Sequence, residues 1–151
     1  MPDLLSGSPV TPLDTPPTVD DREDGSFTFT ITSFGVTATG TYADCGVAFL
    51  APTTGRVTIL WGGNLLNSTS ASTLLAPVVR TGSTVGSGSV VLAASNPIAS
   101  GMQGGSAIKG GRGHLLTGLT PGDTYNVRLE HRVTAGTGTI SERNVIVRPE
   151  S

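Results

Sequence analysis

The chain has 151 residues, a formal net charge of −2, 13% charged and 5% aromatic residues, 21 glycines and a single cysteine. That length suits one domain that folds without covalent staples, and a lone cysteine excludes an intramolecular disulfide framework. The weak negative charge argues against nucleic acid as a general partner, and no stretch approaches the ~18 apolar residues of a membrane-spanning helix, so no membrane partner is expected.

Residues 1–25 differ in kind from the rest. They hold five of the ten prolines, and their six acidic and one basic residues give −5, whereas the remainder carries five acidic and eight basic residues, +3. Prolines remove backbone donors and favour extended conformations. The expectation is a Pro-rich acidic extended arm over 1–25 and a β-sandwich domain over 26–151, with the Asp20 to Asp24 run solvated. Leu4, Leu5, Val10 and Leu13 are the arm's sparse apolar candidates for anchoring to a capsid or a neighbouring subunit. The N-terminus lacks the basic region and apolar run of a secretory signal, so the chain is expected to be made and kept in a cytosol-like compartment until something carries it out.

From Ser26 to Thr32, Phe27, Phe29 and Ile31 alternate with polar residues as a half-buried strand does. Gly35 and Gly40 punctuate a weak second strand containing Val36 and Tyr42. Residues 45–51 and 56–62, separated by Pro52-Thr53-Thr54-Gly55, read as a hairpin. Val57, Ile59 and Trp61 share one face while Leu60 points the other way, and Cys45 reads as a buried inert thiol. Residues 62–73 read as a loop, followed by strands at 74–81 and 89–94, with Pro77 confining the first to an edge or a bulge. Residues 95–111 are irregular, and a short strand at 114–118 leads into the next turn.

The stretch Leu119–Val133 is the best-patterned in the chain. Pro121 and Gly122 set a turn, after which Tyr125, Val127, Leu129, His131 and Val133 fall on one face and Asn126, Arg128, Glu130 and Arg132 on the other. Tyr125, three residues after Gly122, has the placement of a tyrosine corner, whose hydroxyl bonds to upstream backbone. A last strand at 139–148 stops at Pro149. Eight or nine strands at spacings of about 8–12 residues predict an all-β fold, a single two-sheet sandwich of jelly-roll-like type with an extended N-terminal arm.

Catalytic patterns are absent from the sequence. The Gly-rich stretch 101–113 lacks the ending of a P-loop, no Gly-x-Ser-x-Gly elbow occurs, and His114 and His131 are far from any close-spaced metal-ligand set. No catalytic, cofactor-binding or metal residue is therefore nominated, and the protein is expected not to be an enzyme. Asn67-Ser68-Thr69 matches a glycosylation acceptor but means nothing without secretion. Candidate intersubunit residues are Leu60, Trp61 and His131. Candidate outward loop contacts are Asn67, Lys109 and Arg112.

The segments YADCGVAFLAPTTGRVTILWGG (42–63), PVVRTGSTVGSG (77–88) and HLLTGLTPGDTYNVRLEHRVTAGTGTISERNVIVRP (114–149) together resemble a group of small virion proteins from tailed bacteriophages of actinobacteria. The resemblance implies a homotrimeric jelly-roll sandwich without shared catalytic residues, assembled in the host cytoplasm and carried in the virion. A capsid decoration role is the first expectation, with the major capsid protein or tail proteins as partners. A minor tail or tail-fibre role, with loops 62–73 and 95–113 binding a host cell-wall glycan, is the alternative.

Overall fold

Ten strands form among the described residues, and what organises them is the order in which they pair. The computed structural model describes residues 13–150. Its strands are β1 Val19–Glu23, β2 Phe27–Phe29, β3 Gly46–Leu50, β4 Val57–Asn67, β5 Ser72–Thr81, β6 Val90–Leu92, β7 Ser100–Gln103, β8 Ile108–Leu116, β9 Thr124–Val133 and β10 Gly138–Pro149. A single 3-10 turn, Asn96–Ile98, is the only helical element among the described residues.

Pairing is nested from the middle of the chain outward: β5 with β6 and β7, β4 with β8, β3 with β9, and β1 and β2 with β10, all antiparallel. Successive nested pairs alternate between sheets. The first sheet runs β1-β10-β4-β8, with β2 also on β10, and the second runs β3-β9-β5-β6, with β7 also on β5. A long hairpin rolled in this way is a jelly roll, the expected fold.

The inner faces meet as the alternation requires. Ile59, Trp61 and Leu65 of β4 and Ile140 and Val145 of β10 lie against Leu75 and Val79 of β5 and Val127 and Leu129 of β9, all buried. Trp61 Nε1 donates to the Leu75 carbonyl at 3.1 Å, a hydrogen bond from one sheet to the other. Fully burying side chains of this size contributes roughly 1.5–3 kcal/mol each.

Several local expectations change. Residues 45–51 and 56–62 do not form a hairpin, because β3 and β4 lie in different sheets. The turn between them crosses from sheet to sheet beside the β8–β9 connection, and the two crossings bond to each other: Leu119 N–H to the Gly55 carbonyl at 3.1 Å, Gly122 N–H to the Ala51 carbonyl at 3.0 Å. Gly55 is required there, since its φ is +63° and an added Cβ would lie 2.4 Å from the Leu119 carbonyl oxygen. The tyrosine corner forms at the same place, with Thr120 N–H donating to the Tyr125 hydroxyl at 3.1 Å.

Residues 19–23, placed in the arm and expected to be solvated, instead form edge strand β1 on β10. An edge tolerates charge because its outward residues stay wet; inward, Val19 packs on the core and the Asp21 carboxylate accepts the Gly46 N–H at 2.7 Å. The weak strand around 35–42 reduces to isolated bridges at Thr39 and Gly35. Residues 62–73 hold the end of β4 and the start of β5, and residues 95–113 are occupied by the 3-10 turn, β7 and two-thirds of β8. Glycine-rich strands escape a pattern reading because they show no alternation. Pro77 lies inside the sheet, but in the interval between β7, which pairs with residues 72–75, and β6, which pairs with residues 79–80.

Candidate interaction face

The two sheets present very different outer faces. On the second sheet, Asn126, Arg128, Glu130 and Arg132 point away from the core. The connection between β5 and β6 folds back over part of this face. Asn126 is fully buried beneath it, accepting the Gly86 N–H at 3.0 Å and donating to the carbonyls of Gly82 and Ser87 at 3.0 and 3.1 Å. Beside it Arg128 pairs with Glu130 at 3.1 Å and reaches Asp44 at 3.7 Å, while Arg80 approaches Glu130 at 3.9 Å. Over its centre the chain covers this face with its own residues, while Leu50 and Val90 on the flanking strands stay exposed.

Nothing in the described chain closes the first sheet's outer face. Cross-strand register places Asp20, Ile146, Leu60 and Gly113 in one row and Arg22, Asn144, Gly62 and Gly111 in the next. The second row sinks where two glycines lie side by side, leaving an open hollow of about 700 Å³ walled by Leu60 and Ile146. Gly62 holds it open: an added Cβ would lie 2.8 Å from the Gly110 carbonyl oxygen and 3.3 Å from Asn144 Oδ1. Charge rims it at both ends. Arg22 pairs with Asp24 at 2.7 Å, and Lys109 pairs with Glu142.

A register shift between Ser141 and Asn144 makes this possible. Glu142 sits in the left-handed region at φ +52°, so the bulge turns the Glu142 carboxylate toward Lys109 and sends Arg143 to the interior. Bulges re-aim side chains in this way.

Arg143 is the buried consequence. Its guanidinium lies 4.6 Å from the Phe27 ring centroid and 5.1 Å from that of Tyr42, and its Nη2 donates to the Ala43 carbonyl at 2.9 Å. His131 packs against Phe29 with centroids 4.1 Å apart, and its Nε2 is 3.0 Å from the Thr37 carbonyl. Burial, reinforced by the nearby Arg143 charge against the Thr37 hydrogen bond, pulls the imidazole down to about 4. Burial likewise pushes the Cys45 thiol up to about 12, which removes its nucleophilic form at neutral pH.

The candidate residues therefore separate. Leu60, Lys109 and Arg112 all line the hollow, although Lys109 and Arg112 are on strand β8 and not in a loop, and Arg112 also donates to the Ala99 carbonyl at 3.1 Å. Trp61 and His131 are core residues, 2% and 0% exposed, and present no side chain to a neighbouring subunit. Asn67 is also fully buried, donating to Thr73 Oγ1 and the Ala135 carbonyl; it is neither an outward contact nor an accessible glycosylation acceptor. Leu13 lies at the corner, where its carbonyl accepts the Thr53 N–H at 3.2 Å. Leu4, Leu5 and Val10 lie outside the described residues. Sequence reading missed Arg22, Gly62, Gly111, Glu142, Asn144 and Ile146, because only register across four strands brings them together. Among the described residues no three metal-ligating side chains gather in one place.

No protein-family model matches the sequence and no curated protein matches it. Solved structures with a similar course of chain include Eiger TNF from S. frugiperda, at 9% identity and TM-score 0.48, covering 89% of this chain and 94% of that one. Infectious bursal disease virus, Gx strain, gives 14% identity and TM-score 0.43, covering 89% of this chain and 34% of that one. Bacteriophage CBA120 tailspike protein 4, in its enzymatically active domain, gives 13% and 0.38, covering 85% and 17%. The jelly-roll assignment rests on strand order, not on these distant likenesses.

Proposed function

We propose that this chain is a non-enzymatic structural protein of a bacteriophage virion, a capsid decoration protein that self-associates and is anchored to the particle by its N-terminal residues. The observation that carries the reading is the inequality of the two outer faces: the centre of one is covered by the chain's own loop and charge lattice, the centre of the other is left as a hollow with aliphatic walls and charged ends. A body built in this way is suited to contact through one broad face. The sequence resemblance to small phage virion proteins supplies the particle.

The structure sharpens the anchoring test. Because β1 begins at Val19, deleting residues 1–12 spares every strand of the described residues, whereas deleting 1–25 removes one of them. Antibody labelling of purified virions places the protein: label spread over the head supports decoration, and label confined to the tail overturns it. With the protein on the head, the 1–12 deletion is expected to fold normally and to lose particle binding.

A tail protein that binds host glycan is the second reading. It is favoured by the convergence of residues 62–63 and 109–112 on one hollow, and disfavoured because the indole of Trp61 points inward and gives a sugar no ring to stack on. Saturable adsorption of purified protein to host cells would move it to first place.

A further inference from the structure

We infer that the outer face of the first sheet receives a second copy of this chain, in an isologous two-fold dimer in place of the homotrimer that the sequence resemblance implies. This rests on reading that face as an interaction surface and adds the identity of the partner. The first of the two central rows, Asp20-Ile146-Leu60-Gly113, is raised by two aliphatic side chains; its neighbour, Arg22-Asn144-Gly62-Gly111, is sunk at two glycines. Along each strand the two rows are ~7 Å apart. A two-fold axis in the plane of contact, parallel to the rows and midway between them, keeps each strand's place along the row and exchanges one row for the other. The Leu60–Ile146 ridge of each copy then lies over the sunken row of its partner.

Charge follows the same operation. Asp20 and Arg22 occupy the same strand in exchanged rows, so each copy's Asp20 meets the other's Arg22, twice per dimer. In the next rows outward, Arg148, Thr58 and Leu115 exchange with Ser141, Asn64 and Lys109. That brings Arg148 toward the bulged Glu142 and lays Leu115, 46% exposed, along the methylene stem of Lys109. Ridge, hollow and both charge pairs are found on one face, and self-complementarity of a single patch is the property of a two-fold contact; a head-to-tail ring uses two different patches. The face is also large enough. β1, β10, β4 and β8, of 5, 12, 11 and 9 residues, lie ~4.8 Å apart and together span roughly 600 Å², the lower end of the ~600–1,000 Å² per partner of a stable interface.

The test is the mass of the full chain in solution, measured by sedimentation across a range of concentrations. The expected mass is twice 15.3 kDa. Asp20→Arg and Arg22→Asp, both on an exposed edge, are each expected to weaken the dimer by about ten-fold or more, since each sets like charges together across the contact. The double variant D20R/R22D restores opposite charges and is expected to recover most of the affinity. A monomer, a trimer, or a dimer indifferent to these reversals overturns the inference. Particle labelling is scored separately: a monomer or trimer that still decorates virions leaves the proposed function standing and removes only the two-fold contact.

Discussion

The outer faces of the two sheets are built from similar strands and have opposite fates. On the second sheet, Asn126 and the Arg128–Glu130 pair are covered or interlocked by residues of the same chain. On the first, Gly62 and Gly111 leave backbone bare between Leu60, Ile146 and two exposed ion pairs. A polar group beneath a loop must be fully paired or it destabilises the fold. A face intended for a partner can leave that pairing to the partner. Stability is thus expected to be sensitive on the covered face and tolerant on the open one.

The largest expected effect lies in the core between the faces. His131 has its folded pKa depressed to about 4 from 6.5, so the unfolded chain binds the extra proton first. Its contribution is fully present above pH 6.5 and is lost as pH falls from 6.5 toward 4, by about 3 kcal/mol in total. Urea unfolding at pH 7 and pH 4 should show this loss, and His131→Phe should remove most of it. A variant with an unchanged acid slope would assign the loss to other groups.

On the covered face, Asn126→Ala removes that side chain's hydrogen bonds beneath the loop and is expected to cost about 2–3 kcal/mol, with faster hydrogen exchange at residues 82–89. Equal protection in the variant would show that the loop is held by something else. On the open face, Gly62→Ala must push the added methyl against the Gly110 carbonyl, and a loss of about 1–2 kcal/mol is expected in a melting experiment. The smallest effect belongs to Lys109→Ala. Its partner is Glu142 and its side chain is 74% exposed, so stability should change by less than about 0.5 kcal/mol. If Lys109→Ala were as costly as Asn126→Ala, the distinction between the faces would fail.

Much of the inner face was legible because alternation reports it directly. Tyr125, Val127, Leu129, His131 and Val133 were assigned to one face and all five are buried. The corner at Pro121–Gly122 was legible for a local reason: the turn and the Tyr125 hydroxyl bond act over a few residues. The candidate site was only partly visible. The sequence points to Leu60, Lys109 and Arg112, but as members of different surfaces, and it suggests outward roles for Trp61, His131 and Asn67 that burial rules out. Residue type does not tell a buried polar side chain from an exposed one when both alternate correctly. The sequence does not announce a bulge at Ser141–Asn144 either, and that bulge decides which of Glu142 and Arg143 faces water.

By itself, then, the sequence determined the all-β class, most strand positions, the inward faces and the turn chemistry, all of which depend on neighbours within a few residues. Tertiary structure decided which sheet β3 and β4 join, that residues 19–23 are an edge strand, and that residues 20–22, 60–62, 111–113 and 144–146 form one surface. Those are matters of register between strands as far apart in the chain as β1 and β10. Register is set by how the whole inner face packs.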